Sequence, residues 1–297
     1  MTALLWLPPW RHAGALLAHA PMLRRRLTVA TRLPDAVPGT RGLLETAFPE
    51  LPAAVPTAAL TRRIDAPSDR DGRWLRADPC HLRVEVAGVR MLACGALRID
   101  DDEISGFEAT LRPWFDEAGW RWHAASPERW YVQPDAAQPP LGGESPEDVL
   151  GAFIDHALPQ GDAGRITRRW LNELQMALHD HPVNRTRRLR GLPEVNSLWL
   201  HGDGTAPASL SSRIAAVHSR DALLLGCANL SGVPVLADAG EPPASVLIDA
   251  RDSNDDAASA LRRVLRRREP SLMAFESGER FEWRPWHGLR FWRGDQA

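Results

Sequence analysis

The chain has 297 residues, of which 44% are hydrophobic and 25% are charged, a composition that can fill a sizeable core. Its formal net charge of -2 excludes a strongly basic surface, so we expect no nucleic acid partner and no attraction to an anionic membrane. No stretch approaches the roughly 18 apolar residues of a membrane span, so we expect no membrane insertion and a cytoplasmic location.

The three cysteines, Cys80, Cys94 and Cys227, are widely spaced in the sequence. This spacing argues against a disulfide framework and against a structural zinc site. The chain contains no lysine, so all 36 of its lysine and arginine positions are arginine. Arginine carries a planar guanidinium that can pair through two hydrogen bonds with a carboxylate or a phosphate.

The N-terminal part predicts one strand–helix unit followed by a linker. Residues 3–7 form an apolar run that ends at Pro8 and Pro9, which predicts a buried strand. Residues 15–27 predict a helix with a basic end. Residues 34–70 are rich in proline and alanine and predict a linker or irregular cap with a short helical stretch near residues 42–48.

The middle of the chain predicts a compact αβ segment. Residues 81–86 and 89–93 flank Ala87-Gly88 and predict a hairpin. Acidic residues 100–103 predict the start of an amphipathic helix that continues over residues 104–117. Residues 120–123 and 130–132 predict two strands, Ser145-Pro146 predicts a helix start, and residues 166–179 predict a long helix.

The C-terminal part again alternates strands and helices. Strands are predicted over residues 196–200, 233–236 and 246–248, and the last strands carry Phe281, Trp283, Leu289 and Trp292. Helices are predicted over residues 222–230 and onward from residue 248 through Arg268. We therefore predict an α/β fold with a mixed sheet core and flanking helices. The expected division is an N-terminal unit and linker over residues 1–70, an αβ domain over 71–240, and a completing α/β segment over 241–297.

Polar residues that could bind a ligand are concentrated between residues 172 and 204. Two amides share one face of the long helix, a turn with an imidazole, an amide and a guanidinium follows, and a strand then leads into a Gly-Asp-Gly loop whose amides could approach an anion. The candidate site residues are Asn172, Gln175, His181, Asn184, Arg187, Asn196, Gly202, Asp203 and Gly204. The same side chains could instead cap helices or bond neighbouring loops.

This stretch resembles a signature of the archaeal-type cofactor-independent phosphoglycerate mutases, which belong to the alkaline phosphatase superfamily. The matching positions are His181-Pro-Val-Asn184, Arg187, Gly191, Pro193, Asn196 and Gly202-Asp203-Gly204. The chain also resembles a bacterial group of phosphoglycerate-mutase-like regulatory proteins. The marks of that group are residues 77–82, 127–131, the 172–204 stretch and 291–293. The resemblance implies a remnant of the superfamily's α/β core with an inserted αβ half-domain, and it implies that residues 71–240 form the substrate-binding domain.

The resemblance also implies a serine nucleophile and two divalent metals, and here the sequence departs from the family. The first strand ends in Leu7-Pro8-Pro9, where the family has a carboxylate, and a late Asp-His pair is absent. Two neighbouring cations require several anionic ligands. We therefore expect no resident cofactor and assign no metal ligand or catalytic residue, with manganese or magnesium implied only if the protein is an enzyme.

Three functions remain open from the sequence. The first is a catalytically degenerate or regulatory protein that binds a small phosphorylated or carboxylated metabolite. The second is an active phosphoglycerate mutase or related metal-dependent phosphotransferase. The third is a regulatory or scaffolding protein without a ligand, in which the polar signature only holds the fold.

Overall fold

The computed structural model describes residues 2–236, 241–251 and 255–289. These residues belong to two compact units, a discontinuous unit (Met1–Leu51 with Ala208–Ala297) and an inserted unit (Pro52–Pro207). The predicted boundaries after residues 70 and 240 lie elsewhere because residues 57–65 pack with the inserted unit, whereas residues 216–218 join the other sheet. A mixed α/β core with an inserted αβ half-domain is confirmed, and a substrate-binding role for residues 71–240 stays a prediction.

The helices and strands follow in chain order. The first part of the discontinuous unit contains β1 (Ala3–Leu7), α1 (Gly14–His19), α2 (Pro21–Val29), β2 (Thr31–Leu33) and α3 (Thr40–Ala47). The inserted unit contains α4 (Thr57–Asp65), β3 (Arg73–Glu85), β4 (Gly88–Cys94), α5 (Asp101–Glu117), β5 (Arg121–Ala124), β6 (Trp130–Gln133), α6 (Pro146–Val149), α7 (Gly161–Leu178), α8 (Pro182–Leu189) and β7 (Ser197–Thr205). The second part of the discontinuous unit contains β8 (Ala216–His218), α9 (Ala222–Ser231), β9 (Val246–Asp249), α10 (Asp255–Arg266), β10 (Ser271–Phe275) and β11 (Arg280–Trp283).

The discontinuous unit is built on a mixed sheet with the order β2-β11-β10-β1-β9-β8. Strands β10, β1, β9 and β8 are parallel, and β11 and β2 extend the sheet in antiparallel fashion. All five residues of β1 are buried, as expected for a central parallel strand covered on both faces. The carboxyl ends of these parallel strands therefore meet along one edge of the sheet.

Several predictions for the discontinuous unit need correction. The helix predicted over residues 15–27 is broken into α1 and α2, because Pro21 cannot continue a helix and instead starts the second one. The strand predicted over residues 233–236 is reduced to a single bridge between Val217 and Val235. Leu289 lies in a short 3-10 helix rather than a strand, and Trp292 lies outside the described residues.

The inserted unit contains an antiparallel sheet in which the long strand β3 pairs with β4, β6 and β7. Helix α5 begins at a capping box, in which Asp100 accepts from the amide of Glu103 and Glu103 accepts from the amide of Asp100. The predicted hairpin and the predicted helices α5 and α7 are confirmed. The segment predicted as a linker contains α4, whose Ala58, Ala59 and Leu60 are buried.

Most tryptophans of the inserted unit fill its core. Trp120 stacks on Trp170 with ring centroids 4.1 Å apart, and Trp170 also packs against Phe115 at 5.6 Å. Trp122 and Trp130 meet edge to face at 5.4 Å. Among the residues that the structure describes, no helix has the length and apolar character needed to cross a membrane.

Candidate functional site

The signature residues after the long helix lie on α8, a helix that was not predicted. His181 is its N-cap, Pro182 occupies its first turn, and Asn184 and Arg187 follow at intervals of three. Residues three apart on a helix share one face. That face points into the inserted unit, because Asn184 and Arg187 are fully buried and His181 is nearly so.

The Arg187 guanidinium donates hydrogen bonds to protein groups through all three of its nitrogens. Its Nη1 donates to Oε2 of Glu103 at 2.5 Å, its Nη2 donates to the Leu97 carbonyl at 2.6 Å, and its Nε donates to the Pro193 carbonyl at 2.7 Å. These contacts join α8 to α5 and to the loops on either side. The side chain is also fully buried, so an anion could reach this guanidinium only if the packing around α8 opened.

Asn184 is used in the same way. Its Nδ2 donates to the carbonyls of Leu178 and Val195 at 3.1 Å and 2.9 Å, and its Oδ1 accepts from the Val195 amide at 2.9 Å. The side chain therefore ties the end of α7 to the segment that enters β7. Buried backbone groups in such a turn need partners, and Asn184 supplies them.

His181 completes the start of α8. Its Nδ1 accepts from the Val183 amide at 3.3 Å, which leaves Nε2 to donate to the hydroxyl of Thr110 at 2.9 Å. The ring stacks on Phe107 with centroids 4.9 Å apart. Burial, with a smaller effect from the charge of Arg185, lowers the pKa of His181 below its ordinary value, so the ring is neutral at neutral pH.

Asn196 hydrogen-bonds to the backbone of β3 next to an irregularity in the sheet. The pairing of β3 with β4 shifts register between His81 and Leu82. Oδ1 of Asn196 accepts from the Leu82 amide at 2.8 Å, and its Nδ2 donates to the Leu82 carbonyl at 2.7 Å. The amide side chain thus satisfies the Leu82 backbone groups just beyond Cys80 and Ser197, the last residue pair between β3 and β7.

The predicted Gly-Asp-Gly loop is part of β7, which continues to Thr205 and pairs with β3. Gly202 has φ +65°, and a Cβ there would lie 2.7 Å from the Cβ of Thr57 on α4. Asp203 accepts from Arg73 and from the Leu141 amide, both at 2.6 Å. The glycines therefore allow close packing against α4, which corrects the expectation of an open anion-binding loop.

Asn172 and Gln175 lie on a different surface from the α8 residues. Asn172 is exposed and Gln175 is half-buried on α7. They share a stripe with Arg168 and His179, at spacings of four, three and four residues. Within the described part of the chain, no carboxylate forms an ion pair with Arg168. The nine predicted residues are thus not brought together into one site.

A buried polar network on β3, β7 and α4 escaped prediction. Arg76 donates to both carboxylate oxygens of Asp78 at 2.6 Å and 2.7 Å, and Nε2 of His201 donates to Asp78 at 2.8 Å. Burial alone would raise the pKa of Asp78, but the charge of Arg76 and the hydrogen bond from His201 lower it. Burial lowers the pKa of His201, although Asp78 opposes that shift. The sequence does contain a signal for this network. Arg76 and Asp78 are two residues apart on a strand, so their side chains lie on the same face.

The carboxyl edge of the parallel sheet carries a cluster centred on Arg251. The guanidinium lies 3.3 Å over the ring of Trp6 and forms ion pairs with Asp221 and Asp249 at 3.0 Å and with Glu276 at 3.5 Å. Burial alone would lower the pKa of Arg251, but its hydrogen bonds to Asp249 and Asp221 and their charges raise it. Ligand sites of open α/β sheets lie at this kind of edge.

The two-metal centre implied by the resemblance does not fit this edge. Asp221, Asp249 and Glu276 surround a guanidinium, and Asp249 also accepts from Ser219 at 2.8 Å. Across residues 2–236, 241–251 and 255–289, no three histidine, cysteine, aspartate or glutamate side chains are grouped so that they could hold a metal ion.

No protein-family model matches the chain. The chain is 40% identical over 63 residues to the 2,3-bisphosphoglycerate-independent phosphoglycerate mutase of Methanothrix thermoacetophila, a match that covers 21% of this chain and 16% of that protein. It is 30% identical over 133 residues to the enzyme of the same name from Methanosarcina acetivorans, with 39% of this chain and 34% of that protein covered.

Among solved structures, the cofactor-independent phosphoglycerate mutase of Thermoplasma acidophilum aligns over 95% of this chain and 89% of that chain. The TM-score is 0.43 and the sequence identity is 14%. The sequence matches span only 16% and 34% of the length of the two archaeal mutases. Over those segments, this chain is similar to cofactor-independent phosphoglycerate mutases.

Proposed function

We propose that this protein is a catalytically inactive, regulatory relative of phosphoglycerate mutases that binds a small phosphorylated or carboxylated metabolite. The observation that carries the proposal is the ion-pair cluster in which Arg251 engages Asp221, Asp249 and Glu276. A metal-dependent phosphotransferase needs carboxylates that remain open to cations. Here the guanidinium of Arg251 already pairs with these carboxylates and offsets their negative charge.

The polar stripe on α7 supports the binding part of the proposal. Arg168, Asn172 and Gln175 present one guanidinium and two amides along one helix face. A guanidinium forms two hydrogen bonds with a phosphate or carboxylate, and amides can donate to its remaining oxygens. Because the α8 residues are occupied with protein contacts, the proposed ligand would contact Asn172 and Gln175 of the predicted residues, and Arg168, which was not predicted, would supply the positive charge.

The catalytic part of the proposal is tested by a coupled mutase assay on the purified full chain. The substrate is 3-phosphoglycerate, and manganese and magnesium are each present or omitted. We expect no turnover above the buffer rate under any of these conditions. Metal-dependent turnover would overturn the proposal in favour of an active phosphotransferase.

The binding part is tested by calorimetry with 3-phosphoglycerate and, separately, with inorganic phosphate. Arg168→Gln should weaken binding by about tenfold, since a charge-assisted hydrogen bond contributes roughly 1.5 kcal/mol or more. Arg169→Gln is the matched control, because Arg169 lies on the same helix, is largely exposed and pairs with Glu173. Absence of binding at millimolar ligand by the folded protein would contradict this part.

A second candidate is a scaffolding protein without a ligand. The full burial of Asn184 and Arg187, with their hydrogen bonds to neighbouring backbone and Glu103, favours it. If calorimetry detects no ligand while Asn184→Ala still destabilises the protein, the scaffolding function is the one supported.

A further inference from the structure

The strand pairing of the inserted unit brings together two cysteines that are far apart in sequence. Cys80 on β3 and Cys94 on β4 are directly opposite each other in the antiparallel ladder. Both are free thiols in this structure. Their proximity is a product of the hairpin, since they are 14 positions apart along the chain.

The hydrogen bonds around this pair define its geometry. In the adjacent pair, the Gly95 amide donates to the Pro79 carbonyl at 3.0 Å. The Cys80 carbonyl points the other way and accepts from the Asn196 amide at 3.2 Å. Because hydrogen-bonded and non-hydrogen-bonded pairs alternate along an antiparallel ladder, Cys80 and Cys94 form a non-hydrogen-bonded pair.

This type of pair suits a covalent bridge. Opposed residues of a non-hydrogen-bonded pair have Cα atoms about 4.5 Å apart, within the range of about 4.4–6.8 Å that a disulfide spans. Both side chains lie on the same face of the sheet, next to Met91, Leu171 and Trp199. Cys80 is fully buried and Cys94 is partly exposed, so an oxidant would reach Cys94 first.

We propose that Cys80 and Cys94 form an oxidation site, at which hydrogen peroxide converts the two thiols into a cross-strand disulfide. The Cys94 sulfur attacks the peroxide, breaks its O–O bond and becomes a sulfenic acid, with release of one water. The Cys80 sulfur then attacks the Cys94 sulfur, the S–O bond breaks, and the hydroxyl leaves with a proton as a second water. Two thiols are thus oxidised by two electrons and one peroxide is reduced to two waters.

The surroundings of the pair indicate how fast the site reacts. Burial raises the pKa of Cys94 well above its ordinary value, and the neighbouring Cys80 adds to the shift. Burial likewise raises the pKa of Cys80. The thiolate is the reactive form, so the reaction is slow at neutral pH and accelerates as the pH rises. Cys227 belongs to the discontinuous unit and has no part in the bridge.

The test treats the folded full-length protein with hydrogen peroxide at neutral and mildly alkaline pH. Afterwards the protein is denatured, its free thiols are alkylated, and its mass and peptides are analysed. We expect a product that is lighter by two hydrogens before alkylation, with one alkylated thiol at Cys227 and a peptide linking Cys80 to Cys94. The oxidised protein should also unfold at higher urea concentration, because the bridge restricts the unfolded chain.

Two variants keep the result decisive. Cys227→Ser should retain the bridge, whereas Cys94→Ser, at a partly exposed position, should fold and leave Cys80 reduced and alkylated. The proposal is overturned if peroxide leaves both thiols of the pair alkylatable, if Cys94 accumulates as a sulfinic or sulfonic acid without the bridge, or if the linked peptide contains Cys227.

Discussion

The fully buried guanidinium of Arg187 lies 2.5 Å from the carboxylate of Glu103, and this contact links α8 to the first turn of α5. Glu103 also closes the capping box of α5 through the Asp100 amide. One carboxylate therefore organises a helix start and pairs with a guanidinium that the signature supplies. This relationship explains why the stretch around residue 187 needs an arginine even without a ligand.

Replacing Arg187 should strongly destabilise the inserted unit. Arg187→Ala leaves the nearly buried Glu103 carboxylate without its counter-ion, and breaking a buried ion pair from one side costs about 3–5 kcal/mol. Urea denaturation followed by circular dichroism measures the free energy of unfolding. Arg188→Ala is the control, because this neighbour is 44% exposed and a surface pair contributes less than about 1 kcal/mol. Equal effects of the two variants would refute the structural role of Arg187.

Asn184→Ala should lower the free energy of unfolding by about 3 kcal/mol in the absence of any ligand. The change removes three hydrogen bonds to backbone groups of Leu178 and Val195, and it leaves buried donors and acceptors unpaired. Asn172→Ala, at an exposed position on α7, should change it by no more than about 0.5 kcal/mol. A neutral Asn184→Ala variant would contradict the tying role of this side chain.

Two glycines with similar positive φ angles make it possible to measure the cost of backbone strain apart from the cost of steric overlap. Gly191 has φ +68° with open space around it, whereas Gly202 has φ +65° and faces Thr57. Gly191→Ala should cost about 1 kcal/mol, the strain of a side chain in the left-handed region. Gly202→Ala should cost about 3 kcal/mol, because overlap with α4 is added. Thermal unfolding of both variants checks the difference, which should vanish if β7 does not pack closely on α4.

Stability should fall as the pH decreases from 7 to about 5. Burial lowers the folded-state pKa of His201, and those of His123 and His181 are lowered in the same direction. In the unfolded chain the histidine pKa is near 6.5. As the pH falls through that value, the unfolded chain therefore binds more protons than the folded protein does. Each such histidine contributes a slope of at most about 1.4 kcal/mol per pH unit.

His201→Gln tests this pH dependence, because glutamine can still donate to Asp78 but does not titrate. Urea midpoints measured at pH 7 and pH 5.5 should show a smaller decrease for the variant than for the unchanged protein. An identical decrease would mean that His201 is protonated equally in the folded and unfolded states.

Arg251→Met should destabilise the discontinuous unit by about 2 kcal/mol at neutral pH. Asp221, Asp249 and Glu276 would then repel one another at the carboxyl edge of the sheet without a counter-ion. Arg220→Met removes an exposed arginine that pairs with Asp256 and should have little effect. Added salt should reduce the difference between the variants, because it screens the repulsion. Equal stability of the two at low salt would argue against the cluster.

Local sequence patterns predicted those elements whose signals are local. The apolar run of β1 before two prolines, the acidic start of α5 and the glycine after α9 each specify their element through neighbouring residues. α4 was missed because its proline-rich surroundings indicate a linker, and its alanines become a buried face only through packing on β3 and β7. α8 was missed because His181-Pro182 indicates a chain break, whereas here it starts a second helix.

By itself, the sequence determined the alternation of strands and helices, the mixed α/β class and the concentration of polar residues between 172 and 204. Only the tertiary structure decided that Asn184 and Arg187 face inward, that Arg251 meets three carboxylates, and that Cys80 lies opposite Cys94. The physical reason is that helix and strand signals act over a few neighbouring residues. Burial, ion pairing and strand register, in contrast, depend on residues far apart in the chain.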